Sequence, residues 1–300
     1  MITRRRLLAA SAAALALPRA SWAATSFTAD GVEILTLSDG HLVLPEAMIY
    51  GSRDPAEARA IVAAAGGTGA GLQPPCNVTL MRRGDRVVLF DTGAGHGFMP
   101  TAGELPQALE AAGVAPEDIT DVVFTHGHPD HLWGVLDDFD DPFFPEAQHW
   151  MGGEELAYWS DPATADTIGL ERQSFAAGAL RRLGLMEGAI ETFEDGDEIL
   201  PGLRAVSTPG HTPGHMSLLI ETGNGPVMVV GDAIANDHLA FADPGFPAPN
   251  DQDPLKAALT RAALFDRLAS EAVTIIGYHL GHGGMGRIED AGGNAYRFIA

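Results

Sequence analysis

The sequence predicts a mixed α/β (α+β) domain made of sheets with helices packed on their outer faces. Three observations carry that expectation. Short apolar runs of strand length come first in hairpin-like pairs. Helical patterns then interleave with further strand-like runs in both halves of the chain. Finally, the histidines and acids suited to hold metal follow directly on those strand-like runs, where a sheet edge would fix them rigidly.

In chain order, strand-like runs fall at Val32–Leu37, Val78–Arg82, Arg86–Asp91, Asp121–Thr125, Leu203–Ser207, Met216–Glu221, Val227–Gly231 and Val273–Gly277. Each is of strand length and largely apolar, as a half-buried or buried strand requires. Helical patterns fall at Pro55–Ala65, Glu104–Ala112, Gly153–Trp159, Glu171–Leu183 and Pro254–Ser270. Gly66–Pro75 is rich in Gly and Pro and reads as a loop rather than a domain linker, because strand patterns flank it closely. Asp137–Pro145 and Asp243–Pro254 are acidic, Pro-containing loops of the same kind. No internal repeat is visible.

Three hundred residues suffice for a substantial core, and 46% hydrophobic content with 19% charge is that of a globular enzyme-like chain. Residues 1–23 read as a targeting leader and leave residues 24–300 as the folded domain. Thr3-Arg4-Arg5-Arg6-Leu7-Leu8 is a basic start resembling a twin-arginine export signal. An alanine-rich apolar run to Leu17 follows, too short for a permanent membrane span, and Ser21-Trp22-Ala23 offers a cleavage site. The expected location is periplasmic or secreted. The 18 basic residues less the four arginines of residues 1–23 leave 14 against 40 acidic ones, a net charge of −26. Such a surface repels nucleic acid, anionic lipid and phosphate-rich ligands, and favours a small neutral substrate. Cys76 is the only cysteine, so an intramolecular disulfide is excluded; beside an apolar strand pattern it reads as a small buried hydrophobe.

The most informative stretch is His126-Gly127-His128-Pro129-Asp130-His131. Imidazole and carboxylate without thiolate suit borderline or hard divalent cations, zinc above all. His126 and His128 alternate around Gly127, so both rings can face one cation, while Asp130 and His131 turn toward a second. Further donors follow other strand patterns: His211 in Thr208-Pro209-Gly210-His211-Thr212-Pro213-Gly214-His215, Asp232 after Val227–Gly231, and His279 in Gly277-Tyr278-His279-Leu280.

These motifs, in this order, resemble the metallo-β-lactamase superfamily from about residue 30 to the C-terminus. Leu89-Phe90-Asp91-Thr92-Gly93 matches that family's turn beneath the site. Within the superfamily the chain most resembles methyl parathion hydrolase and related secreted lactonase- or esterase-type enzymes, on the His279 context, the Gly-rich Gly281–Gly286 and the spacing. Two positions depart from the pattern. His282-Gly283 replaces an aromatic–proline pair, and Trp133 replaces a glycine, with consequences for the pocket mouth.

The resemblance implies a four-layer αββα sandwich with two zinc ions at one sheet edge. His126, His128 and His211 would hold one, Asp130, His131 and His279 the other, and Asp232 would bridge them. A hydroxide shared by the cations would attack the substrate, with Asp130 or Asp232 relaying the proton. Phe98, Trp159 and Phe175 align with pocket aromatics of the branch. Asp91 is expected to orient a ligand imidazole, and His215 to steady the His211 loop. Relatives of the branch are often dimeric, so the resemblance also allows a homodimer.

The function so implied is dinuclear zinc hydrolysis of neutral lactones, aryl esters or phosphotriesters. One alternative is a β-lactamase, against which stands the need for a Lys or Arg to grip the drug's carboxylate. The only lysine, Lys256, lies in a helical pattern, and no arginine occurs between Arg204 and Arg261. The other is an iron-dependent dioxygenase on the same fold, which metal analysis would separate.

Overall fold

A computed structural model describes residues 23–66 and 72–300. Two seven-stranded sheets form the centre. In the first, strands lie side by side in chain order: β1 (Ala23–Ala29), β2 (Val32–His41), β3 (Pro75–Arg83), β4 (Arg86–Phe90), β5 (Asp121–Val123), β6 (Gln148–Gly152) and β7 (Ile190–Phe193). Pairing is antiparallel as far as β4 and parallel beyond it. The second sheet holds β8 (Glu198–Leu200), β9 (Leu203–Ser207), β10 (Met216–Ile220), β11 (Val227–Gly231), β12 (Thr274–Gly277), β13 (Met285–Gly292) and β14 (Ala295–Ile299). There only β11 and β12 run parallel.

Side chains alternate along a strand, and here the alternation sorts each apolar strand between two cores. Ile34, Met81, Val88 and Val123 of the first sheet pack against Leu203, Leu218, Val227, Val229 and Ile276 of the second. Their neighbours Leu80, Leu89 and Val122 face the opposite way, onto helices α2 (Leu105–Ala111), α4 (Gly153–Ser160) and α5 (Gln173–Leu185). On the far side, Met228, Val230 and Ile275 meet Phe241 and, from α7 (Pro254–Ser270), Leu264, Phe265 and Leu268. The result is the expected αββα order of layers. Because β4, β11 and β12 are covered on both faces, they read as unbroken apolar runs.

Further helices include α1 (Pro55–Ala64), the single turn α3 (Pro129–Leu132) and α6 (Leu239–Ala242), with single turns also at Ala47–Tyr50 and Thr164–Thr167. Helix starts follow local chemistry: Asp54 accepts from the backbone N–H groups of Ala56 and Glu57 at 2.9 and 3.0 Å ahead of Pro55. Asp253 does the same for Lys256 at 3.1 Å ahead of Pro254.

All eight expected strands and all five expected helices are present, within a few residues of their anticipated ends. Six further strands had no clear pattern. β6 (Gln-His-Trp-Met-Gly) mixes polar and apolar residues, β7 and β8 are very short, and β13 begins inside the Gly-rich Gly281–Gly286. β1 begins at Ala23, and residues 1–22 of the expected leader lie outside the described residues, as do 67–71 of the Gly66–Pro75 loop. Among the described residues no helix is long and apolar enough to cross a membrane.

Candidate metal centre

The seven candidate ligands converge at one edge of the sandwich, each just beyond the end of a strand. β5 leads through Phe124 and Thr125 into the hexapeptide. His128 is extended (φ −66°, ψ 157°) and Pro129 then starts α3, which fits proline's fixed φ. Asp130 and His131 therefore leave the first turn of α3, whereas His126 and His128 precede it. His211 sits in the β9–β10 loop, Asp232 in the turn after β11, and His279 after β12. All seven are buried.

They form two donor sets. His126 Nε2 and His211 Nε2 lie 3.0 and 2.9 Å from His128 Nδ1. Three nitrogens bonded tetrahedrally to one zinc at 2.0–2.1 Å would stand about 3.3 Å apart, so the cluster is nearly of ligand spacing. In the second set, Asp130 Oδ2 lies 3.2 Å from His279 Nε2 and 3.6 Å from His131 Nε2. Asp232 spans the two: Oδ1 is 3.4 Å from His131 Nε2, and Oδ2 is 3.3 Å from His211 Nε2 and 3.4 Å from His279 Nε2.

Three of these atoms, Asp130 Oδ2, His131 Nε2 and Asp232 Oδ1, are buried without a hydrogen-bond partner. A buried polar atom left unpaired is costly, and several aimed at one spot indicate a missing electrophile. Electrostatics agrees. Burial, together with neighbouring imidazoles, pushes His126 and His128 well below the usual histidine range, leaving neutral rings with a lone pair to donate. Burial also opposes protonation of His131, but Asp232, Asp130 and Asp91 outweigh it and hold the ring up at about 10. In the protein alone, that proton supplies the positive charge the carboxylates require. A pair of divalent cations would supply more. The donor set thus fits two metal ions.

The other nitrogens of the rings are fixed from behind. His131 Nδ1 donates to Asp91 Oδ2 at 2.8 Å, as expected of Asp91, which also accepts from the N–H and Oγ1 of Thr125 at 2.7 and 2.8 Å. Asp91 holds this position in the left-handed region (φ 65°), a conformation that costs about 1 kcal/mol or more outside glycine. His211 Nδ1 donates to Asp251 Oδ1 at 3.0 Å, and Arg261 grips the other oxygen at 3.2 Å. His279 Nδ1 donates to the Pro75 carbonyl at 2.8 Å. His215 closes the base of the His211 loop as expected, its Nδ1 donating to Thr208 Oγ1, and its Nε2 also accepts from the Asp232 backbone N–H.

Glu155 ties the hexapeptide loop to the His211 loop. Its buried carboxylate accepts from Gly127 N–H (2.9 Å), Trp159 Nε1 (2.6 Å), Thr212 Oγ1 (2.8 Å) and Gly214 N–H (3.0 Å). Trp159 was expected at the pocket, and the structure corrects this: the ring is fully buried against Gly127, where a Cβ would come within 2.5 Å of it. Its indole is consumed by Glu155. Phe98 and Phe175 do line a cavity of about 470 Å³ that opens onto His128, Asp130, His211, Asp232 and His279. Trp133 stands behind Phe98, at 5.4 Å between ring centroids, and so braces the wall rather than reshaping the mouth. His282 also lines the cavity but is outside both donor sets.

Leu42, Leu44, Met48, Ile49 and Leu72 give the cavity an apolar lining. Arg172 lines the cavity as well. Arg172 lies outside the interval from Arg204 to Arg261 on which the charge argument against a β-lactamase rested, so that argument does not hold for the folded cavity. Glu155, Asp251 and Arg172 carried no motif. They are recognisable only through the neighbours that folding gives them.

Residues 72–279 match the family described as the metallo-beta-lactamase superfamily. An N-acyl homoserine lactonase from a Bacillus species is 30% identical over 126 residues, covering 42% of this chain and 42% of that protein. The chain spans less than two-thirds of the length of the curated relatives it matches. Among solved structures, the hydrolase AbOPH in the beta lactamase superfamily has a TM-score of 0.86 at 27% identity, covering 94% of this chain and 98% of that one. AidC, a dizinc quorum-quenching lactonase, has a TM-score of 0.87 at 22% identity, covering 93% and 98%. These likenesses do not single out the methyl parathion hydrolase branch.

Proposed function

Because the chain belongs to the metallo-β-lactamase superfamily, we propose that it is a two-metal hydrolase that opens neutral acyl lactones. The observation that carries this reading is the convergence of seven buried His and Asp donors within 3.6 Å of their neighbours at the floor of a largely apolar cavity. The 30% identical Bacillus lactonase favours a lactone over an aryl ester or a phosphotriester, which the same floor would accommodate. His126, His128 and His211 would hold one ion, Asp130, His131 and His279 the other, with Asp232 shared. Imidazole and carboxylate donors make zinc the proposed metal. The leader-like start makes a periplasmic or secreted setting part of the same proposal.

When bound, such cations supply Lewis acidity toward a carbonyl oxygen and lower the pKa of water. The protein's own part is positional and protonic. Asp91, Asp251, Thr125 and the Pro75 carbonyl fix the ligand rings. Asp130 and Asp232 both reach the cavity, and one of them would accept a proton from the attacking water and return it to the departing alkoxide. The apolar wall excludes water from the acyl chain.

The test is a substrate panel on protein of measured metal content: an N-acyl homoserine lactone, a p-nitrophenyl ester, a phosphotriester and nitrocefin. The expected result is lactone opening at the highest kcat/KM, abolished by chelator and restored by zinc. Inactivity of the zinc-loaded protein on all lactones would overturn the reading, as would bound iron with oxygen uptake.

A further inference from the structure

We propose that Arg172 selects the substrate, donating hydrogen bonds to a carbonyl oxygen on the lactone's acyl substituent, outside the bond that breaks. The inference rests on the lactone reading above and goes beyond it by naming the grip. Among the described residues, Arg172 is the only Lys or Arg lining the cavity, in a chain with 18 basic against 40 acidic residues. Its side chain is only 13% exposed. A guanidinium has five N–H donors in a planar fork. Here one nitrogen donates to the Pro249 carbonyl at 2.9 Å, and the nearest carboxylate, on exposed Glu171, is 3.7 Å away, beyond hydrogen-bond reach. None of its nitrogens is stranded in the interior, so the N–H donors left over from Pro249 are open to the cavity for an acceptor oxygen.

Its position suits the substrate. Arg172 is the residue before α5, and Phe175, one turn on, lies 6.0 Å from the His128 ring and 5.9 Å from Phe98. Arg172 therefore shares the wall of the His128 donor set, while Leu42, Leu44, Met48 and Leu72 offer apolar surface in the same cavity. A lactone bearing an amide-linked chain has one acceptor oxygen between the reacting ring and the hydrocarbon. A guanidinium on this wall is placed for that oxygen. The acidic surface and Asp237, which also lines the cavity, disfavour a free anion there.

The test compares wild type, Arg172→Gln and Arg172→Lys on two lactones of similar length: an N-acyl homoserine lactone, and an alkyl γ-lactone that lacks the amide. The expected outcome for Arg172→Gln is a roughly tenfold to hundredfold lower kcat/KM on the acyl-amide lactone, mostly through KM. The alkyl lactone should change by no more than about threefold, and Arg172→Lys should recover part of the loss. Equal losses on both lactones would reduce Arg172 to a structural role and overturn the inference. So would no loss on either, or a loss confined to the carboxylate-bearing nitrocefin. If wild type opens the alkyl lactone and these patterns fail, only the grip is wrong; if it opens neither, the lactone reading falls and takes the grip with it.

Discussion

The backbone N–H of Asp232 donates to Nε2 of His215 at 3.0 Å, so a histidine outside both donor sets anchors the carboxylate that spans them. With Nε2 accepting, the proton sits on Nδ1, which donates to Thr208 Oγ1 at 2.9 Å. Burial, with the neighbouring His211, pushes this ring down to about 3, so it stays neutral and the tautomer is fixed. His215→Ala should therefore weaken metal binding roughly 10- to 100-fold, as losing an outer partner of a ligand does. Competition against a chromogenic chelator measures this, and excess zinc should recover most of the activity.

Asp232 itself faces His131, His211 and His279 within 3.4 Å. Burial opposes its ionisation, yet His279 and His131 outweigh it and hold the carboxyl well below the usual range. Asp232→Asn keeps the shape and removes the charge. We expect a fall in kcat/KM of roughly a thousandfold, about 4 kcal/mol in the transition state, with fewer metal ions bound per chain. Steady-state kinetics beside elemental analysis checks both; full activity with full metal content would show that Asp232 is not shared between the ions.

Glu155 satisfies four donors, three from two loops and one from Trp159 on its own helix, so its loss is a stability event before it is a catalytic one. Glu155→Ala should destabilise the fold by about 3 kcal/mol or more, because each stranded buried donor carries its own desolvation penalty. A shift in the denaturant midpoint at constant slope would report it. An unchanged midpoint would mean that the two loops hold their places without the strut.

Asp39 gives the pH dependence. It is buried beneath the Asp91–Gly95 turn, where its oxygens accept from the N–H groups of Ala94 and Leu105, each at 2.8 Å. Burial outweighs these bonds and raises the carboxyl from 3.8 to about 7. A folded-state value above the unfolded one means that the native state binds the extra proton. Its stabilisation is complete below pH 4 and is lost as pH rises through 7. The stability advantage of wild type over Asp39→Asn should thus shrink between pH 4 and 8, by up to about 4 kcal/mol. Paired urea titrations across that range test it, and an advantage that grows with pH would refute the assignment.

The candidate ligands were legible because metal chemistry restricts side-chain types and the hexapeptide compresses four of them into six residues. The doubly covered strands were legible because burial on both faces demands unbroken apolar runs, as in Val227–Gly231. The supports were not. Asp251 lies in a loop whose acidic residues look alike until Arg261 and His211 close on one of them. Glu155 and Arg172 sit in helical stretches where a charged residue ordinarily means solvent. Trp159 misled because an aromatic near a pocket in sequence can still spend its N–H and its surface on the core.

The wall of Leu42, Leu44, Met48 and Leu72 belongs to the connections leaving β2 and approaching β3, whereas the donors ride on the ends of β5, β9, β11 and β12. The apolar lining and the candidate donors are therefore carried on separate pieces of polypeptide. Substitutions along those connections can change what the cavity admits while leaving the donors in place.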